Sequence, residues 1–326
     1  MEIRTVNKDN VFQWLREQDR PWHREYLAMY SSQWRGITKD PDLMMLPIDD
    51  HLVHRGDGVF EVIRCIRGKL YLMEEHLRRL DRSAGAISLD LPRGHEHIRD
   101  VIKEVVKTGG ERECLIRVVL SRGPGSFSTN PYECPSSQIY INGIRFRGLS
   151  DQYYREGISL VTSHIPVKNS FFANIKSCNY LPNVLMKMEA IQAGCQYSVS
   201  LDEHGFLAEG STENVGILTP EGVLKFPGFE RTLSGITANR VFQLAAELAR
   251  EKIISHAEFA GITPQEAYDA REMFLTGTSL NILPVVSYDE NCIGKGSPGQ
   301  VYSRLSSLLR EDMARNERLL TEVDWD

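Results

Sequence analysis

The stretch Ile175-Lys176-Ser177-Cys178-Asn179-Tyr180-Leu181, followed after an amphipathic segment by Leu207-Ala208-Glu209-Gly210-Ser211-Thr212-Glu213-Asn214, decides how this chain is read. A lysine stands between an apolar approach and a polar turn, and a glutamate occupies a second turn further along. Between them Leu181, Val184, Leu185, Met188 and Ile191 fall on one face at helical spacing, with Pro182 near the start, where its missing N–H costs little, and Gly194 as the stop. Beyond that helix, Tyr197 to Leu201, Phe206 to Ala208, Asn214 to Leu218 and Val223 to Phe226 read as short strands joined by glycine-containing turns.

The same patterns extend in both directions. Ile158 to Thr162 reads as a strand, and helices are expected over roughly Thr237 to Lys252 and Gln300 to Arg315. Towards the N-terminus, Val59 to Leu72 reads as two strands around the turn Arg67-Gly68. Leu77, Leu80, Ala84 and Ile87 then repeat at helical spacing, as do Ile98, Val101, Ile102, Val105 and Val106 before Gly109-Gly110. Leu115 to Leu120 and Gln138 to Ile144 are further strands. The expected division is a small α/β domain over 1–145, a crossover at 146–151 and a larger mixed domain over 152–326. The first 45 residues, with Trp14, Trp22 and Trp34 among charges, are expected to form an arm.

Composition bounds the function. At 326 residues the chain is long for one core and suits two domains. Charged residues make up 25% and hydrophobic ones 41%, as in a globular protein. The net charge of -6 offers no general attraction for nucleic acid. Six scattered cysteines form no CxxC pair, so neither a zinc site nor a disulfide framework is expected, and reduced thiols suit the cytoplasm. Met1-Glu2-Ile3-Arg4 opens without the apolar core of a signal peptide, and no later segment is apolar for long enough to span a membrane.

A lysine amine is nucleophilic only when neutral, so it gains from partial burial or a nearby cation that lowers its pKa. Taken alone, Lys176 reads as a surface lysine and Glu209 as a solvated turn carboxylate, because charged residues are mostly exposed. Together they suit pyridoxal phosphate. Its aldehyde needs an amine, and its ring nitrogen needs an acid that keeps it protonated as an electron sink. Its phosphate needs donors of the kind a helix N-terminus supplies, and Ser234-Gly235-Ile236-Thr237 directly precedes an expected helix.

These segments have company that occurs in a fixed order. His54-Arg55-Gly56-Asp57-Gly58-Val59-Phe60-Glu61, His76-Leu77-Arg78-Arg79-Leu80 with Ser83-Ala84, the Lys176 segment, Glu209-Gly210 with Asn214, Ser234-Gly235-Ile236-Thr237, and Thr276-Gly277-Thr278-Ser279 leading to Pro284 follow one another from about Asp49 to Val286. In this the chain resembles the class IV aminotransferases, the fold-type IV pyridoxal phosphate family of branched-chain and D-amino-acid aminotransferases and aminodeoxychorismate lyase. The resemblance implies an α+β two-domain fold with a small α/β N-terminal domain and a larger, mostly β-barrel-like C-terminal domain.

The resemblance also implies residue roles. Lys176 is the catalytic amine, and Glu209 the acid against the ring nitrogen, with Asn214 close by. Arg79, Ile236, Thr237, Gly277 and Thr278 are the phosphate partners; a guanidinium matches two phosphate oxygens at once. Tyr180 is placed to reach the cofactor's phenolate oxygen. Branched-chain enzymes typically carry Gly-Gly-Asn-Tyr after the lysine and its neighbour, one residue longer than the Lys176 to Tyr180 spacing, which looks more like the D-amino-acid and lyase branches. Ala238 stands where many relatives have an arginine. For the substrate carboxylate there are three candidates: Arg55, where relatives often have an aromatic residue, Arg117, which matches a pocket arginine of branched-chain enzymes, and Arg122, which resembles the carboxylate arginine of the D-amino-acid branch. Phe60 is expected to wall the pocket.

Other chemistries find less support. The nine histidines show no HExxH or other metal-ligand spacing, so no metal site is expected. Gly56-Asp57-Gly58 lacks the third glycine of a dinucleotide fingerprint. Ser121 to Ser128 lacks Gly-Lys-Ser and is expected to be a mobile loop over the active site. The expected activity is transamination between an α-amino acid, of the D type or branched-chain, and a 2-oxo acid; the alternative is a pyridoxal phosphate lyase of the aminodeoxychorismate type. The resemblance further implies a homodimer with shared active sites, in which Arg55 acts across the interface.

Overall fold

Glycine-bounded apolar segments alternate along the chain, and in the computed structural model they become ten α-helices and sixteen strands among residues 3–168 and 170–325, the residues described. Met1 and Glu2, part of the stretch read as lacking a signal peptide, lie outside the described residues. The chain divides into two compact units, one of residues 1–70, 89–146 and 322–326, the other of residues 71–88 and 147–321. A single crossover at 146–151 does not generate this division, because Tyr71–Ser88 belongs to the second unit.

In chain order the elements begin with α1 (Val11–Arg16), β1 (Tyr26–Ser31), β2 (Gly36–Thr38), α2 (His51–Arg55), β3 (Gly58–Ile66), β4 (Lys69–Tyr71), α3 (Met73–Ala86), α4 (Gly94–Gly109), β5 (Cys114–Ser121) and β6 (Gln138–Arg145). The first unit is built on a sheet in which β3, β5, β6, β1 and β2 are successive neighbours. Its alternating apolar residues face α4, whose Ile98, Val101, Ile102, Val105 and Val106 are buried. The helix ends where Gly110, at φ 79, turns its N–H back onto the carbonyls of Val106 and Lys107. β1 lies between β6 and β2 with Leu27 to Ser31 buried, so this part of the expected arm is a sheet strand.

Ser121 to Ser128 is another departure. The segment is tied down by Arg122 N–H to the Asp57 carbonyl and Gly125 N–H to that of Asp49, both 3.1 Å, and by His51 Nε2 against the Ser126 carbonyl at 3.0 Å. Its glycines serve close approach. A Cβ on Gly123 would lie 2.2 Å from the Ser136 carbonyl oxygen, and one on Gly125 would lie 2.7 Å from Cys134 Sγ.

The chain continues through α5 (Asp151–Glu156), β7 (Ile158–Thr162), α6 (Ser170–Ala173), α7 (Leu181–Gln192), β8 (Tyr197–Leu201), β9 (Leu207–Gly210), β10 (Asn214–Leu218), β11 (Val223–Phe226), α8 (Ile236–Arg250), β12 (His256–Phe259), α9 (Pro264–Tyr268), β13 (Glu272–Gly277), β14 (Asn281–Tyr288), β15 (Asn291–Cys292), α10 (Gln300–Arg315) and β16 (Leu320–Glu322). Strands β10, β13, β14, β7, β8 and β9 follow one another as neighbours, and β9 pairs back onto β10, which closes a barrel. The register pair at the closure is Glu209 opposite Asn214. Val199, Leu207, Val215, Ile217, Leu275 and Leu283 are among the buried side chains of its core. The barrel-like second unit implied by the family resemblance is thus present.

α3 joins this unit through named bonds. Leu72 N–H donates to the Leu319 carbonyl at 2.8 Å, and Asp312 accepts from the Tyr71 hydroxyl and from Arg240 Nε at 2.8 Å. α7 presents a different picture from its sequence. It buries Asn183, Met186 and Ala190, while Leu181, Val184, Met188 and Ile191, which define its apolar stripe, are 68%, 54%, 48% and 64% exposed.

Barrel packing sets the stability of this unit. Leu275→Ala removes a side chain with 0% exposure. It is expected to lower the unfolding free energy by about 2–5 kcal/mol, read as a lower urea midpoint at unchanged slope; an unchanged midpoint would show that the barrel interior is not a packed core.

Candidate active site

Lys176 follows two buried residues, Ala173 and Ile175, and its backbone is fixed by α3: Lys176 N–H donates to Ser83 Oγ at 3.1 Å. The chain then curls tightly, with Ser177 N–H on the Ile175 carbonyl and Tyr180 N–H on that of Cys178. Tyr180 becomes the N-cap residue of α7. This short path returns the Tyr180 hydroxyl to the lysine, whose Nζ donates to it at 3.2 Å. A second amine approaches the same ring. Lys168 Nζ lies 4.8 Å from the ring centroid, and burial holds its pKa below the usual lysine value, with Glu209 acting the other way.

Glu209 lies in β9, one residue before its end, at the barrel closure. One carboxylate oxygen accepts the Leu233 N–H at 2.9 Å. Burial pushes its pKa up; the Leu233 N–H, Lys168 and Lys176 pull it down, and Glu213 adds to the rise. Asn214 Nδ2 donates to the Leu233 carbonyl at 2.9 Å, so one backbone unit serves both residues of the closing pair. Gly235 makes this geometry possible, since a Cβ there would sit 1.8 Å from Asn214 Oδ1. Lys168, Lys176, Tyr180, Glu209, Glu213 and Asn214 all line one cavity.

The start of α8 supplies the donors of a second locus. Ile236 and Thr237 open the helix after Gly235, and Arg79, 5% exposed, donates from Nη1 to the Ser234 carbonyl at 3.0 Å. Gly277 ends β13 and Thr278 follows it, next to Asn214, whose register partner is Thr276. Ala238 is buried in α8.

The other expected residues belong to the first unit. Arg122 makes two 3.1 Å bonds to the Asp57 carboxylate, so a substrate carboxylate would have to displace that partner. Arg117 is exposed, with its guanidinium 5.1 Å from the ring centroid of buried Phe60. Arg55 donates to the carbonyls of His54, at 3.0 Å, and Phe127. Among the cavity residues given no role by the sequence are Lys168, Asn183 and Glu213. The apolar approach Ile165-Pro166-Val167 before Lys168 resembles the one before Lys176, and Glu213 lies within the stretch that carries Glu209.

This donor set fits pyridoxal phosphate. An amine and a partly buried carboxylate share a cavity, and a buried guanidinium stands beside a helix start, where backbone N–H groups suit a phosphate.

The two buried carboxyls have a measurable consequence. Burial raises both Glu209 and Glu213 above the ordinary 4.5. Above pH 4.5 the folded state therefore binds more protons than the unfolded chain, so their contribution to stability is complete below 4.5 and is lost as pH rises through the raised values. In cofactor-free protein Glu209→Gln is expected to flatten the decline of the urea midpoint above pH 4.5; an unchanged slope would show that Glu209 is not destabilised by burial.

Comparison with known proteins agrees with the geometry. The family model for class IV amino-transferases matches residues 58–288. A D-amino-acid transaminase, chloroplastic, from Arabidopsis thaliana is 40% identical over 89% of this chain and 77% of its own length. A putative branched-chain-amino-acid aminotransferase from Methanocaldococcus jannaschii is 33% identical over 80% of this chain and 89% of its own. Among solved structures, a branched-chain amino acid aminotransferase with pyridoxamine 5'-phosphate superposes with a TM-score of 0.85 at 28% identity, covering 92% of this chain and 99% of that one. Relatives named as transaminases do not favour the lyase alternative. With its family model, relatives and fold in agreement, the chain belongs to the class IV aminotransferases and is a pyridoxal phosphate-dependent aminotransferase.

Proposed function

We propose that this aminotransferase acts on D-amino acids and 2-oxo acids, with Lys176 as its catalytic base. The observation that carries the site assignment is the shared cavity of the Lys176 amine and the Glu209 carboxylate. D-selectivity is supported by the 40% identity to a chloroplastic D-amino-acid transaminase and by the short Lys176 to Tyr180 spacing. A branched-chain substrate is the second reading, favoured by the similarity to the solved branched-chain enzyme.

When bound, pyridoxal phosphate supplies a ring that accepts the electron pair left when the substrate's Cα–H bond breaks. Lys176 Nζ would take that α-proton as general base. Tyr180, 3.2 Å from Nζ, limits where the amine can point. Glu209, whose burial-raised pKa the Leu233 N–H, Lys168 and Lys176 pull down, would stand against the ring nitrogen, with Asn214 bracing the same backbone. Arg79, Ile236, Thr237, Gly277 and Thr278 would hold the phosphate. For the substrate carboxylate the proposed set is Arg55, Arg117 and Arg122, with Phe60 as an apolar wall.

We also propose a cytoplasmic homodimer with shared active sites. The exposed apolar stripe of α7 supports association, because such a face is stabilised by a partner that removes it from water. All six cysteines are free, which suits a reducing compartment. No helix among the described residues is long and apolar enough to cross a membrane.

Purified protein carrying the cofactor, mixed with single L- and D-amino acids, is expected to lose its visible band with D-amino acids and to regain it with a 2-oxo acid. Lys176→Ala is expected to abolish both changes; bleaching by L-amino acids alone overturns D-selectivity, and an unaffected Lys176→Ala removes the base. In sedimentation velocity the wild type is expected to be a dimer and Val184→Asp/Ile191→Asp to shift towards monomer. A monomeric wild type overturns the dimer, and a dimeric double variant moves the interface elsewhere.

A further inference from the structure

Glu213 lines the same cavity as Lys176 and Glu209 and is 5% exposed, yet the chemistry above leaves it without a task. It closes the turn between β9 and β10. Its Oε2 accepts the Thr212 N–H at 2.9 Å and the Ser211 hydroxyl at 3.3 Å, and its Oε1 accepts the Thr212 hydroxyl. Gly210 N–H donates to the Glu213 carbonyl at 2.7 Å. Gly210 has no Cβ to obstruct the carboxylate, which comes within 2.7 Å of where that atom would lie.

The turn is also tied to the lysine segment. Asn183, 8% exposed in the first turn of α7, donates from Nδ2 to the Ser211 carbonyl at 2.5 Å. Tyr180, at the N-cap of the same helix, accepts from Lys176 Nζ. A continuous set of bonds thus runs from the amine through Tyr180, the first turn of α7 and Asn183 to the Glu213 turn and so to Glu209. A buried carboxyl that accepts from three donors holds its geometry, because each donor released from it would be left unsatisfied in a buried turn.

We propose that Glu213 is a positioning residue: acting with Asn183, it fixes the placement of the Glu209 carboxylate relative to the Lys176 amine. This rests on the assignment of Lys176 and Glu209 as the reacting amine and the ring-nitrogen partner. Glu213 also helps to raise the Glu209 pKa.

The test compares Glu213→Ala, Glu213→Gln and Asn183→Ala by three readouts: pH titration of the bound cofactor's visible band, exchange of the Leu233 amide, and kcat against KM. Glu213→Ala is expected to move the titration midpoint by about one pH unit, to speed exchange at Leu233 and to lower kcat about tenfold with little change in KM. Glu213→Gln, which keeps an acceptor oxygen, should recover part of each effect, and Asn183→Ala should move them in the same direction as Glu213→Ala. Should Glu213→Ala not fold, the other two variants decide. Folded variants with an unmoved midpoint and wild-type Leu233 exchange overturn the proposal. If borohydride fixes no cofactor on Lys176 of the wild type, it is the underlying site assignment that fails.

Discussion

The pairing of Glu209 with Asn214 is the contact on which the second unit turns. It is the register pair that closes the six-stranded barrel, and it also carries the acid of the cavity. Leu233 clamps both partners at once, giving its N–H to Glu209 and its carbonyl to Asn214. Barrel closure and carboxylate placement are therefore one structural event. A strand that slipped by one residue at this point would turn Glu209 to the other face, because side chains alternate along a strand. The fold thus protects the chemistry through register, and the short β9 needs side-chain help from its neighbours to hold that register.

Charge explains why so many polar groups gather there. Burying a carboxylate without compensation is unfavourable by several kcal/mol, and the raised values of Glu209 and Glu213 are the signature of that strain. Two amines, Lys168 and Lys176, act on Glu209. In the proposed mechanism Lys176 takes the α-proton, so any charge it lends Glu209 changes during turnover, whereas Lys168 lies over the Tyr180 ring and takes no part in that transfer. The same burial that penalises the carboxyls lowers the Lys168 pKa, so the cavity balances opposing demands through one physical cause.

Local pattern made much of this legible. Helical spacing from Leu181 to Ile191 marked α7 and glycines marked turns, and the lysine and glutamate stretches supplied two residues that line one cavity. What periodicity cannot reveal is which face is covered: the α7 stripe is apolar, yet the helix buries Asn183 and Met186 against the barrel. β13 and β14 went unread, and β14 carries Pro284 in its interior. It is accommodated because the pairing of β14 with β7 begins only at Val285, so no N–H is needed from the proline on that side. β1 was obscured by the tryptophans and charges around it. Lys168 lies on no periodic element, and its proximity to Glu209 exists only once the barrel has formed.

The discontinuity of the second unit follows from the needs of its cavity. Lys176, Glu209 and the start of α8 all come from residues 147–321, but the buried guanidinium beside Ser234 and the hydroxyl that fixes the Lys176 backbone come from α3. Arg79 and Ser83 stand four residues apart, one helical turn, so a single face of α3 supplies both. Loops of the barrel could carry such groups, but less rigidly than a helix packed through Met73, Leu77, Leu80 and Ala84. Anchoring that helix requires its own buried pair, and Asp312 provides it by accepting from Tyr71 at one end of the segment and from Arg240 of α8. Asp312 thereby links the helix that bears Arg79 to the helix whose N-terminus Arg79 adjoins, so the proposed phosphate locus is held at both ends by interactions remote from the reacting amine.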